Sequence, residues 1–571
     1  MQFYPVRLLC QEPGANPTSR VEQSISIRYR LSGNPEASGF RRRRRLRAIS
    51  TASLHFSTKS ESPPPGRSST VAPIDTGIVV VYLSGVALLG VYFSRRQKTT
   101  EDYFLAARSV PGWVVAFSIL GTICGSATFV GHPGNVFHDN MFLIPAHLVP
   151  LVVMLLLARR IVVFYRRNVR MTAYEYLQQR FGYPARAYGA ATFLVSRVAD
   201  VSVTYYFLAL ATAVLTGWDV TGVILILGAI TVLYTLIGGI QAVVWTDVVQ
   251  GVFLVGGGLL CILLILFGSD AGPSQILATA WEGGKFEIGR WQWDATQNNQ
   301  WLLILGSIVA WLQSFCCNQH NVQRYLLARS DREAVRGAVM GAGACVPVWL
   351  LFMLLGALLW SYYQFSAEVV PPEVMAVKDR IVPHFVGTHF PAGLKGMVLA
   401  ALIAAAMSSL DSDLNSLATV VVNDFFGKLR PRASESLRLL AGRISVVALG
   451  AASILLALQW TRIDSASLVE FSLTMTMIFT GGILGLFAVG MLFRWTLAGG
   501  AYLGILACLL FTAWATLTQV RLPGSSGPIL DLGSFNCTLS LWLTGVLGHL
   551  VLVSVAMAAS LVLRRSGGRP E

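Results

Sequence analysis

Charge is scarce in this chain. Asp, Glu, Lys and Arg together make up only 13% of it, about half the share usual in soluble domains. Alternation is also missing: stretches such as 223–236 and 251–267 are apolar on nearly every face, which excludes the apolar–polar pattern of a membrane β-barrel. There is no paired-His motif, nucleophile elbow or phosphate loop, so nothing points to an enzyme. The eight Cys lack metal-ligand spacing. Cys124, Cys261, Cys345 and Cys508 fall inside apolar runs and Cys316 and Cys317 are adjacent, so they read as small buried hydrophobes. No apolar signal core precedes residue 72.

What remains is apolar length. The chain is 54% hydrophobic, with a mean hydropathy of +0.59, and a run of about 20 apolar residues crosses a bilayer core as a helix. Thirteen such runs are expected: 74–94, 110–136, 141–158, 186–215, 220–238, 241–267, 299–319, 335–364, 392–424, 438–459, 465–493, 497–518 and 538–563. The fold class is therefore an all-α integral membrane protein with about 13 transmembrane helices. The net charge of +15 does not imply nucleic acid, because the basic residues gather in alternate loops. Arg95, Arg96, Lys98 and Arg108 follow the first run. Arg159, Arg160, Arg166, Arg167 and Arg170 follow the third, and Arg324, Arg329, Arg332 and Arg336 the seventh. Lys428, Arg430 and Arg432 follow the ninth, Arg494 the eleventh, and Arg564 and Arg565 the last. Positive loops stay in the cytoplasm, which predicts a multi-pass cell-membrane protein with its N-terminus outside and C-terminus inside. The Asn536-Cys537-Thr538 sequon then falls outside.

Residues 1–72 differ. They are rich in Arg and Ser, contain no Asp, and carry the run Arg41–Arg45. They read as a disordered tail or a spurious extension, or as a transit segment that would place the protein in an organelle membrane. Residues 73–571 are expected to form one membrane-embedded domain, and no further domain is expected after the last run.

Polar residues inside the runs mark candidate sites, because burying them in lipid is costly. The second run is dense in Gly and hydroxyl residues from Gly121 to Gly134. A helix broken there is tolerated only where it lines a cavity or is buried in protein, and its freed carbonyls can hold a small cation; close packing through small residues is the structural alternative. In the ninth run Ser408, Asp411, Ser412 and Asn415 recur at helical spacing. Their oxygens are hard ligands suited to sodium. Asp247 and Gln250 lie one turn apart in the sixth run, and Arg197 and Asp200 in the fourth, where mutual pairing is the first expectation.

Four stretches then resemble the sodium:solute symporter family, whose members include glucose, proline, pantothenate, iodide and sialic acid transporters. They are 100–109, 238–250, 318–330 and 404–416, in the family's order within about 75–495. The resemblance implies a LeuT-like core of two inverted five-helix repeats, about 110–267 and 299–493, although no internal sequence echo is visible. It implies a main sodium site formed by Gly121, Cys124, Ala405, Ser408 and Ser409. It also implies a candidate second cation site at Asp247, Asp411 and Ser412, where Asp411 departs from the family's hydroxyl and would either strengthen a cation site or carry a proton. Substrate contacts carry over to Thr122, Thr128, Asp200, Gln313 and Asn318. The polar pair of the sugar transporters is replaced by Ala127-Thr128, which argues against a sugar; an unpaired Asp200 would suit an amine. The expected function is sodium-coupled symport of a small organic solute by alternating access, with Na+ as coupling ion. The alternatives are proton coupling through Asp411 and a transporter-like membrane sensor. The partners are the solute and the lipid bilayer, with no nucleic acid. Oligomeric state is not legible.

Overall fold

The computed structural model describes residues 71–94, 99–269, 271–294, 299–366, 368–462, 482–519 and 527–565. The N-terminal tail expected over 1–72 lies almost wholly outside these residues, as do 465–481 of the eleventh run. Among the described residues the chain is helical with no strand; Val110 and Ala328 form a single isolated bridge. The long helices are α1 (Pro73–Ser94), the bent pair α2 (Gly112–Ile123) and α3 (Ala127–His138), α4 (Ile144–Asn168), α5 (Tyr183–Thr216) and α6 (Val220–Phe267). After them come α7 (Gln300–Cys317), α8 (Gln319–Leu327), α9 (Asp331–Phe365), α10 (Leu394–Leu429), α11 (Glu435–Trp460), α12 (Ile483–Leu492), α13 (Ala498–Leu517) and α14 (Leu541–Arg565). Counting α2 with α3 as one crossing and α6 as two, twelve of the thirteen expected spans have their helix. The remaining one, the eleventh run at 465–493, is represented among the described residues by α12 alone.

Local chemistry explains where several helices start. Asp219, Asn299, Ser330 and Ser434 each cap a helix by accepting a backbone N–H at its first turn. The 48-residue α6 is two spans joined at Gly239, whose φ of 54° and ψ of −167° suit glycine alone. α4 outlasts its expected end at residue 158 and continues through Arg159–Arg167. Arg166 is held there by Asp331 at 2.7 Å and by the carbonyls of Tyr325 and Ala328 at 2.8 and 2.9 Å, so the basic turn is sustained by tertiary contacts instead of ending in a loop.

α10 is the innermost element. From Val398 to Val420 every residue except Ser409 is buried, so its neighbours are protein and not lipid. Alanines at 400, 401, 404, 405 and 406 let α6 approach closely; a Cβ on Gly257 of α6 would lie 2.6 Å from that of Ala401. Its start is fixed from a distance. The buried Asp75 of α1 accepts the backbone N–H groups of Gly393 and Gly396, both at 2.7 Å, supplying a negative cap to a helix N-terminus. Asp75→Ala strands two buried donors, each worth about 1–3 kcal/mol. We expect clear destabilisation in detergent thermal unfolding, larger than for Asp75→Asn.

Candidate functional site

The bend between α2 and α3 is 60° and lies against the middle of α10. At the break Cys124 has φ −97° and ψ 82°, so its carbonyl leaves the helical ladder. Ser408 Oγ lies 2.8 Å from the Gly121 carbonyl and 2.9 Å from that of Ala405. Ser409 Oγ lies 3.2 Å from the Thr122 carbonyl and 3.5 Å from that of Gly121. Gly121, Ala405, Ser408 and Ser409 therefore converge beside Cys124, and the donor set is hard oxygen throughout. The fit is tight: a Cβ on Gly125 would lie 2.6 Å from Ser409 Oγ. Thr122, Ile123, Gly125 and Ser409 are half-buried while their neighbours along each helix are buried. Ser409, the one residue of this stretch of α10 that is not fully buried, thus turns its hydroxyl to the break.

A second broken helix faces the first. Asn318, with φ −82° and ψ 123°, separates α7 from α8. Arg324, expected in a basic loop, instead sits fully buried in α8. The family-like run 318–330 carried the signal, but a window of low hydropathy reads as loop when tertiary pairing is invisible. The guanidinium of Arg324 donates from Nε to Ser118 Oγ at 2.9 Å, from Nη1 to the His320 carbonyl at 2.7 Å, and from Nη2 to Ser412 Oγ. It lies 3.5 Å from Asp247 Oδ2, which also accepts from Ser118 Oγ at 2.5 Å. Asp247 and Ser412 are thus joined through a fixed cation. Asp411 turns to a different partner, accepting from Tyr234. Asp247 Oδ1 and Asp411 Oδ1 are both buried without a hydrogen-bond partner.

Asp200 pairs with Arg197, one turn away on α5. Arg197 also lies 3.7 Å from Asp413, which meets His320 Nδ1 at 3.1 Å. Asp413 is buried within this network. Of the other substrate candidates, Thr122 lies 3.1 Å from Ser412 Oγ, Thr128 is buried in the first turn of α3, and Gln313 and Asn318 are half-buried near the second break.

This geometry is matched by known proteins. The model of the sodium:solute symporter family matches residues 103–508. The chain belongs to the sodium:solute symporter family. A sodium/sialic acid symporter of Proteus mirabilis is 30% identical over 76% of this chain and 88% of its own length. A sodium-coupled monocarboxylate transporter of Xenopus laevis is 26% identical over 80-odd per cent of this chain (83%) and 77% of its own length. The solved outward-open structure of a Na+-coupled sialic acid symporter superposes with a TM-score of 0.78 at 29% identity, covering 86% of this chain and 98% of that one. The fold is accordingly LeuT-like, and this family member is a sodium-coupled symporter of a small organic solute.

Two outcomes follow from the site's packing. Arg324→Met strands Asp247 as an unpaired buried charge, a loss of about 3–5 kcal/mol. Folded yield and thermal stability should collapse, and adding Asp247→Asn should restore part of both. Gly125→Ala pushes a methyl group against Ser409 Oγ. It should raise the half-saturating sodium concentration roughly tenfold, as expected for about 1.4 kcal/mol, in a sodium titration of transport.

Proposed function

We propose that the solute is a small organic carboxylate, carried inward with sodium bound by Gly121, Cys124, Ala405, Ser408 and Ser409. The observation that carries the sodium assignment is the convergence of two serine hydroxyls on the carbonyls of a broken helix. Sodium there ties α2 to α10 and so favours one orientation of the broken helix over the other, which is the coupling that alternating access needs. Sodium's downhill entry supplies about 2.3 kcal/mol per charge per 100 mV of membrane potential.

Two observations support a carboxylate. The relatives include proteins named for sialic acid and for monocarboxylates. The second half-helix, α3, begins at the break, and the positive end of a helix dipole there suits an anionic group. An amine is disfavoured, because Asp200 is already paired with Arg197. Thr122, Thr128, Gln313 and Asn318 complete the polar lining around the solute in this reading. The membrane orientation has the N-terminus outside, supported by Arg167, Arg329, Arg332, Lys428, Arg430 and Arg494 lying at one set of helix ends.

A second reading, proton coupling through Asp411, rests on its burial and its unpartnered Oδ1. Uptake into proteoliposomes separates the two readings. Sodium-driven uptake of a labelled monocarboxylate, competed by other carboxylates and not by their amides, is expected, and Ser408→Ala/Ser409→Ala should abolish the sodium dependence. Uptake that ignores replacement of sodium by choline and follows a pH gradient would overturn the sodium assignment; competition by amines alone would overturn the carboxylate.

A further inference from the structure

A groove of about 670 Å³ lies away from the transport site, lined by Ser94, Leu236, Ile237, Arg443, Ile444, Val447 and Ala448. Its location is set by three chain features. Ser94 is the last residue of α1. Leu236 and Ile237 end the first half of α6, just before the bend at Gly239. Arg443 lies on α11, two turns past Glu435. The groove therefore opens where membrane spans end, at headgroup depth. Its apolar walls face outward: Ile237, Ile444 and Val447 are 39%, 58% and 44% exposed.

Among the described residues, the polar end of the groove carries one cation, Arg443. Arg443 is exposed and has no carboxylate partner among the described residues. Glu435, on the same helix, is engaged elsewhere: its carboxylate accepts from the backbone N–H and hydroxyl of Thr100 at 3.0 and 2.8 Å. The Ser94 hydroxyl donates to the Val91 carbonyl at 2.7 Å, so it presents lone pairs to a donor. The carbonyls of Thr235 and Leu236 are taken by Tyr103 at 3.4 and 3.2 Å.

We propose that this groove holds one anionic phospholipid, with its phosphate on Arg443 and its acyl chains along Ile237, Ile444 and Val447. An exposed guanidinium beside an apolar wall open to the bilayer matches a phosphodiester on two hydrocarbon tails. The planar fork of Arg pairs with phosphate oxygens in bidentate fashion, and basic pockets between spans take anionic headgroups. A hydroxyl on the headgroup finds an acceptor in Ser94. Bound there, the lipid spans α1, α6 and α11 at the bend whose far side carries Asp247, and holds that joint in one geometry. Neither the sodium ligands nor the carboxylate reading enters this inference, and its failure would leave both untouched.

The test uses the full chain, delipidated in detergent, with native mass spectrometry and thermal unfolding. Added phosphatidylglycerol should be retained at one molecule per chain and raise the unfolding temperature; phosphatidylcholine should do neither. Arg443→Ala should reduce the phosphatidylglycerol shift to the phosphatidylcholine level while leaving the sodium-induced shift intact. Val447→Glu, which places a negative charge on the tail wall, should do the same, and it serves if Arg443→Ala folds poorly. Equal shifts from the two lipids would overturn the proposal. So would full retention of the shift in both variants, or a shift of the same size from inorganic phosphate alone, which would show an anion site with no lipid component.

Discussion

The contact on which the rest depends is that between a broken helix and an unbroken one. The carbonyls of Gly121 and Thr122 lose their helical partners at the bend between α2 and α3 and meet the hydroxyls of Ser408 and Ser409. In a membrane those carbonyls cannot be left bare, since lipid offers no hydrogen bond. They must be satisfied by protein or by a bound cation. That requirement explains why α10 is enclosed on nearly all sides, why its residues around the serines are alanines, and why Asp75 reaches across from α1 to fix its first turn. A site made of weak, exchangeable hydroxyl contacts is backed by a frame that has little freedom to move.

The buried charges serve this frame in a different way. Arg324 is permanent, because its guanidinium stays protonated. It satisfies Ser118, Ser412 and the His320 carbonyl together and lies beside Asp247. Those contacts tie α8 to α2, α6 and α10. Arg197 ties α5 to α10 through Asp413 and draws in His320 of α8. Both broken helices are thus bound to α10 by polar groups whose rupture would expose charge to a low dielectric. Such pairs contribute little net stability, but they specify which arrangement of the helices is allowed. Alternating access needs more than one such arrangement, each of them well defined.

Much of this was legible in the sequence. The spans followed from hydropathy, since a run of apolar residues has few other fates in a chain of this composition. The break at 121–134 followed from its Gly density, and the shared face of Ser408 and Ser412 from helical spacing. What local pattern could not show was partnership. Arg324 read as one more basic loop residue, because nothing near it in sequence announces Asp247, 77 positions earlier. The end of α4 was placed too early for the same reason: Arg166 is helical because of Asp331, 165 residues away.

Asp411 shows the same limit at the level of function. Sequence placed it beside Ser412 and Asp247 as though three oxygens faced one ion. In the structure Ser412 and Asp247 are drawn to Arg324, whereas Asp411 accepts from Tyr234 on the first half of α6. The helix therefore divides its polar face between two neighbours, although the spacing along the chain is that of a single stripe. A face on a helix is a direction, and which groups converge depends on what stands opposite. For this chain the opposing surfaces are the two halves of α6, bent apart at Gly239, so that one half presents Tyr234 and the other Asp247. The bend at a single glycine thereby sets which hydrogen-bond partners these adjacent acidic and hydroxyl residues find.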